Sequence, residues 1–292
     1  MKERFTIFFQ YKLWGLAGSF LLLLFIIVEV QGKIEYQVSM KEKIEGANYN
    51  QEKMRQMCFE GDSLYHLNQY CKEKNLDFMK EVTMRMILFD YELKDSNSQI
   101  KYPIKEEFAE EIEALPFYNE LYQTYKSIFK DVVYFPIPKD LAGKETVGFE
   151  DGFGDARTYG GDRKHEGTDI IPSIKDRGYF PVLSVSDGVV ENLGWLELGG
   201  WRVGISSESG GYYYYAHLDS YAPELIEGDH VYAGQLLGFM GDTGYSKKEG
   251  TKGNFIVHLH FGIYITIDGK QASVNPYPVL KYLRHKQLGY TF

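Results

Sequence analysis

Two histidines stand two residues apart in FIVHLHFGIY, residues 255–264, inside an otherwise apolar run. In a strand, alternate side chains share a face, so His258 and His260 project together while Val257, Leu259 and Phe261 turn the other way. A lone strand histidine is ordinarily a packed side chain; two on one face are a candidate metal or catalytic pair. Upstream, KHEGTDII sets His165 and Asp169 four apart, an imidazole nitrogen and a carboxylate oxygen that both suit Zn²⁺. By itself that spacing recurs by chance in many chains. A third stretch, YYYYAHLDSY, ends a Tyr-rich run on His217. Zinc hydrolysis needs three protein ligands, an open position for water, and groups that move protons and hold an oxyanion. The inventory fits: His165, Asp169 and one strand histidine for a metal, and two further histidines for the chemistry. His66, His230 and His285 have no such setting and read as surface or core-edge residues.

The elements that must position these residues are short and alternating. From about residue 140 the chain is rich in Gly, Val and Tyr, in runs such as VLSVSDGVVENLGW, WRVGISSE and HVYAGQLLGFMG, which is an all-β pattern. Asp-Gly at 187–188 and 268–269 are turn candidates. Pro136 and Pro138 mark an extended linker before this part. Residues 33 to about 130 instead carry charged and apolar residues at helical spacing, with glycine nearly absent. Nothing there carries chemistry; Glu92 reads as solvated or core-edge. The net charge of −9 argues against a nucleic-acid partner, because no basic excess exists to neutralise phosphates.

At the N-terminus Lys2, Arg4 and Lys12 precede LWGLAGSFLLLLFIIV, residues 13–28, an uncharged run closed by Glu29. With its apolar flanks it is long enough to span a bilayer, and the basic flank keeps that end cytoplasmic. The expectation is an uncleaved signal anchor with the rest of the chain outside the membrane; a cleaved signal peptide, which would leave the chain secreted, is the alternative. Cys58 and Cys71, outside the membrane, could pair, but only if the helix breaks between them, and Gly61-Asp62-Ser63 could supply that break.

The order H-x-x-x-D, then Y-A-H-L, then H-L-H resembles the lysostaphin/LytM-type zinc metallopeptidases, which cut peptide bonds in bacterial peptidoglycan. DGFGDAR at 151–157 is similar to the family's approach to its first ligand, and VSDGVV, EGDHVYAGQLLGFMGDTG and VNPYPVL fall where the family has sheet and turn segments. The resemblance covers about residues 145–283. It implies that His165, Asp169 and His260 bind zinc and that His217 and His258 are catalytic. The expected fold is a mainly β, antiparallel C-terminal domain of this type, preceded by an α-helical region and a membrane segment. The expected division is 1–32 as signal anchor, 33–135 as a helical extracytoplasmic region, and 136–292 as the peptidase domain. Peptidoglycan peptides are the implied substrate, and the helical region is a candidate surface for a protein partner.

One departure is visible. The family has a short turn running into the histidine pair, whereas TGYSKKEGTKGNFIVHLH inserts a longer basic loop with Lys247, Lys248 and Lys252. That loop could reshape the cleft. Glu166, beside the first ligand, reads as solvated or as supporting it. Tyr159, Tyr212, Tyr214 and Tyr245 could line a groove, though strand packing explains most of them equally well. Two other functions compete with the zinc endopeptidase: a catalytically inactive wall-binding or scaffold protein, disfavoured by the complete ligand set, and a cupin-like metal protein, disfavoured because FGIYITI lacks the carboxylate that should follow the pair.

Overall fold

Forty-four consecutive residues, Lys2–Glu45, form helix α1 in the computed structural model, which describes residues 2–143, 145–159 and 161–291. At 1.5 Å per residue α1 is about 66 Å long. Its stretch from Ala17 is long and apolar enough to cross a membrane, and the side chains of Phe20 to Val28 are all exposed. This helix with its following turn, Met1–Ala47, forms one compact unit, and Asn48–Phe292 forms another.

The second unit begins with short helices and one strand pair. In chain order these are α2 (Gln51–Gln56), β1 (Cys58–Phe59), α3 (Ser63–Lys74), α4 (Phe78–Leu88), β2 (Glu92–Leu93), α5 (Asn97–Ile100), α6 (Glu106–Glu113) and α7 (Tyr118–Phe129). Asn50 and Asp77 cap α2 and α4, each side chain accepting at 3.0 Å from the amide three residues on. Along α7, Leu121, Tyr125 and Ile128 recur at helical spacing and are fully buried. Glu92, in a stretch that reads as helix, instead pairs as a short parallel strand with Cys58, and it is exposed. The chain does break before α3, yet Cys58 and Cys71 remain free thiols, the first exposed and the second buried.

Strands follow: β3 (Lys139–Asp140), β4 (Val147–Phe149), β5 (Ala156–Arg157), β6 (Arg163–Lys164), β7 (Thr168–Pro172), β8 (Pro181–Leu183), β9 (Gly188–Leu196), β10 (Gly200–Ser206), β11 (Tyr212–Tyr221), β12 (His230–Val231), β13 (Leu236–Met240), β14 (Leu259–Ile267) and β15 (Lys270–Val274). Helix α8 (Tyr277–Arg284) and β16 (Gly289–Tyr290) close the chain. The central sheet runs β12-β9-β10-β11-β14-β7-β4, and its pairings are antiparallel. Alternation along β11 sorts the tyrosines. Tyr213 and Tyr215 are fully buried, with Tyr213 Oη donating to Ile128 O on α7 at 3.2 Å. Tyr212 and Tyr214 face the opposite side of the sheet.

The helices are joined to the sheet by specific contacts. Arg55 of α2 donates through Nε to Ser273 O at 2.7 Å, Asn68 of α3 donates to Tyr282 Oη on α8 at 2.6 Å, and Ser209 N donates to Asp131 Oδ2 at 2.7 Å. Of the two Asp-Gly steps named as turn candidates, only the second makes a hairpin. Asp268 and Gly269 adopt φ of 50° and 72°, the primed-turn geometry, and join β14 to β15. Asp187-Gly188 instead leads into β9, where a Cβ on Gly188 would lie 2.5 Å from Ser206 O. Close strand approach, not a turn, requires that glycine.

Candidate active site

Four neighbouring strands carry one row across the sheet. Asp169 on β7 faces His260 on β14, which faces Ala216 on β11. On β10 the register jumps from Val203↔Tyr215 to Trp201↔Leu218, so Ala216 and His217 together oppose Arg202 alone. This is a β-bulge, which bends a strand and re-aims a side chain. His217 takes a φ of 63°, a left-handed conformation that strains a residue with a Cβ. Two bonds hold it there: its amide donates to Gly199 O at 2.8 Å, and Nδ1 bonds Thr243 O at 2.8 Å.

The putting-together of the three candidate ligands is tight. His165 Nε2 lies 3.1 Å from Asp169 Oδ1 and 3.0 Å from His260 Nδ1, and His260 Nδ1 lies 3.0 Å from Asp169 Oδ1. His165 Nδ1 bonds Gly152 O at 2.9 Å. Arg157 Nη2 lies 2.9 Å from the same nitrogen; in the tautomer that donates to Gly152 O, Nδ1 carries the proton and Nε2 presents a lone pair. In that tautomer, lone pairs from two imidazoles and a carboxylate converge, an arrangement that could hold a metal ion. Bonds of about 2.0–2.1 Å in a tetrahedral zinc site would separate such donors by roughly 3.3 Å. The observed triangle fits that ion with a small outward adjustment.

Neighbours fix the donors. Arg157, from the DGFGDAR stretch, donates through Nη2 to Asp169 Oδ2 at 2.7 Å, which leaves Oδ1 for the cluster. Gly167 makes room for the His260 ring: a Cβ there would lie 2.6 Å from Cε1 and Nε2. Burial alone would raise the Asp169 carboxyl, but hydrogen bonds with His165 and His260 and the nearby imidazoles hold it well below the usual carboxylate range. Burial first, then neighbouring histidine charge, pushes His217 well below the ordinary imidazole value. His258 and His260 are lowered too, burial outweighing the pull of Asp169.

All five residues singled out from the sequence line one groove of about 930 Å³. The rings of His217 and His258 have centroids 4.7 Å apart. His258 Nδ1 donates to Ile256 O at 2.7 Å, so its Nε2, like that of His217, is a lone pair on the groove side when the ring is neutral. Tyr212, Tyr214 and Tyr245 line the groove, and Tyr159 stacks on Tyr245 at 4.3 Å. The inserted basic loop is pinned by Lys252 to Asp219 at 2.5 Å and by Asn254 Nδ2 to Gly244 O at 3.1 Å. It carries Tyr245 and Ile256 to the groove wall, while Lys247 and Lys248 face solvent. His230, His285 and His66 are exposed; His285 stacks on Tyr65 at 3.9 Å, and His66 bonds Asp95 at 2.7 Å. Arg157, Gly167 and Thr243 are the supporting residues that ligand spacing does not reveal. All three lie within quoted stretches, Arg157 in DGFGDAR, Gly167 in KHEGTDII and Thr243 in EGDHVYAGQLLGFMGDTG, without being singled out there.

Residues 163–276 match Peptidase family M23. An L-Ala–D-Glu endopeptidase of Bacillus subtilis is 34% identical over 222 residues, which are 75% of this chain and 60% of that protein. Lysostaphin of Staphylococcus staphylolyticus is 31% identical over 129 residues, 44% of this chain and 24% of that protein. The chain thus spans less than two thirds of the length of either. A solved structure from Ruminococcus gnavus, named as a lytM glycyl-glycine endopeptidase, is 38% identical, covers 86% of this chain and 97% of its own, and superposes with a TM-score of 0.71. With the His-Asp-His cluster inside the matched segment and the likeness extending through the helices, the chain belongs to peptidase family M23.

Proposed function

We propose that this protein is a zinc endopeptidase that hydrolyses peptide bonds of bacterial peptidoglycan, held at the outer face of the cell membrane by its N-terminal segment. The observation that carries the reading is the convergence of three lone pairs, on His165, Asp169 and His260, within 3.1 Å of one another and beside two further neutral histidines. The relative named for cutting L-Ala–D-Glu supports a stem-peptide bond as the one cut. In this reading residues 1–32 anchor the chain, 33–135 support the β part, and 136–292 carry the peptidase.

His165 Nε2, Asp169 Oδ1 and His260 Nδ1 would hold the metal. Bound there, zinc supplies Lewis acidity, polarising a carbonyl and bringing the pKa of a water to roughly 7. His217 and His258 do the proton work. A neutral Nε2 accepts the proton of the attacking water, and the same nitrogen, once protonated, donates to the developing oxyanion or to the leaving amine. Their depressed pKa keeps them neutral, hence able to accept, at neutral pH. Arg157 keeps Asp169 oriented.

The test is elemental analysis of the full chain purified in detergent, for wild type and Asp169→Ala, with digestion of purified cell wall followed by mass spectrometry. About one zinc per wild-type chain, its loss in the variant, and new peptide termini only with wild type are expected. Wild-type protein that binds zinc and a wall fragment but releases no new termini would instead establish the scaffold function.

A further inference from the structure

One cation in the groove has no part in this chemistry. Arg202 lies on β10 opposite the Ala216–His217 bulge, in the same cross-sheet row as His260 and Asp169, and its side chain lines the groove. Neighbouring strands are about 4.8 Å apart, so its Cα is about 10 Å from that of His260. An arginine side chain can cover much of that distance.

The charge is not neutralised within the chain. Arg85, Arg157 and Arg177 each hold a carboxylate, at 2.9, 2.7 and 2.6 Å. Arg202 enters no ion pair among the described residues. Its Nη2 reaches only Asn192 Oδ1, at 3.5 Å, and its Nη1 is buried with no hydrogen-bond partner. Glu191, the acid on the adjacent strand, is already bonded by Ser206 Oγ. Tyr212 and Tyr214 beside it stay neutral phenols, because burial raises both against the pull of the Arg202 charge. A buried guanidinium N–H without an acceptor is costly, and its planar fork fits a carboxylate.

The two other groove guanidiniums are committed elsewhere, and Lys164, the remaining cation of the lining, is exposed to solvent. Arg157 holds Asp169. Arg163 donates through Nε to Tyr159 O at 3.2 Å and through Nη2 to Tyr245 Oη at 2.9 Å, where it braces the aromatic wall.

We propose that Arg202 binds a free carboxylate of the substrate, one or two residues from the bond that is cut. This rests on the peptidase reading of the groove and names its substrate class: an acidic stem peptide. Such a carboxylate is present wherever glutamate is linked through its γ-carboxyl, leaving the α-carboxylate free. A glycine bridge offers none.

The test uses the zinc-loaded full chain in detergent micelles and N-acetylated, C-amidated peptides, with products read by mass spectrometry. The peptides are L-Ala-γ-D-Glu-L-Lys, its D-isoglutamine counterpart, the isoglutamine peptide with meso-diaminopimelate in place of lysine, and pentaglycine. The carboxylate peptide should be cut with kcat/KM roughly 10- to 100-fold above the isoglutamine peptide, the range of one hydrogen bond to a charged group. Arg202→Gln should remove that preference by slowing only the carboxylate peptide, and Arg202→Lys should keep part of it. If the diaminopimelate peptide restores cutting, the same recognition is made one residue further on. Equal rates on the glutamate and isoglutamine peptides, equal slowing of both by Arg202→Gln, or fastest cutting of pentaglycine would overturn the proposal and leave the peptidase standing. Zinc-loaded protein that cuts no peptide and no wall would overturn both.

Discussion

At the scale of single residues, the structure brings the candidate donors of His165, Asp169 and His260 within 3.1 Å of one another. His165, Asp169 and one of the two strand histidines could be proposed from residue type and spacing, and the family resemblance selected His260 as that one. Gly167 could not, because its role is to be absent from the space that the His260 ring fills. Arg202 could not either, since nothing near it in sequence marks it as unpaired. Two residue-level outcomes follow. Gly167→Ala should leave the chain folded but displace His260, because the new Cβ would sit 2.6 Å from that ring and from Phe261 O. Overpacking of this kind costs about 1–3 kcal/mol, so calorimetry should show a modest loss of stability and zinc titration a large loss of affinity. Unchanged zinc affinity would mean the ring has room to move. The two thiols give the second outcome. Burial, reinforced by Glu81, pushes Cys71 up to about 12, and Cys58 is raised less but lies exposed. A folded-state pKa above the unfolded one means that stability is fully present below about pH 8.5 and is lost as pH rises toward 12. At pH 8 a thiol reagent should therefore modify one cysteine per folded chain and two after denaturation; two equal, fast reactions in the native protein would contradict the burial of Cys71.

At the scale of elements, the β pattern was legible because half-buried strands alternate, and the tyrosine run shows how far that goes. Tyr213 and Tyr215 packing inward while Tyr212 and Tyr214 line the groove is a consequence of alternation alone. The bulge at Ala216–His217 breaks the same rule and was invisible, since it depends on partners in β10 and on Thr243 at a distance in sequence. It is also the element on which His217 depends. Thr243 ties the bulge down twice, accepting from His217 Nδ1 through its carbonyl and donating through Oγ1 to Leu218 O at 2.7 Å. Thr243→Val keeps the carbonyl and removes the buried hydroxyl bond, leaving Leu218 O short of a donor at a cost of about 1–3 kcal/mol. The expected result is a kcat on wall peptides reduced roughly tenfold with zinc content unchanged, because His217 is re-aimed while the three ligand donors are not touched. Loss of zinc in this variant would show that the bulge supports the ligands rather than the proton-transfer histidine.

At the scale of the whole molecule, the sequence shows two characters, helical and β, at either side of Pro136, but not that they would pack as one. Both have local signals, and the bonds that join them are long-range. Arg55 to Ser273 spans 218 residues, and Tyr213 to Ile128 spans 85. Helix α7 covers the face of the sheet that carries Tyr213, and Phe59 meets Phe129 edge-on at 5.8 Å beneath it. By contrast α1 belongs to a separate compact unit. The two truncations therefore should behave oppositely. A chain starting at Asn48 removes the apolar helix and keeps every helix-to-sheet bond named above, so it should be released from membranes, remain folded by circular dichroism and keep its zinc. A chain starting at residue 136 uncovers large apolar side chains, each contributing about 1.5–3 kcal/mol when buried. Three or four of those approach the whole stability of a domain, about 5–15 kcal/mol. It should unfold or aggregate at temperatures where the chain starting at Asn48 is native, even with zinc supplied. If it folded and bound zinc with undiminished stability, the helices would be free to serve a partner rather than the sheet.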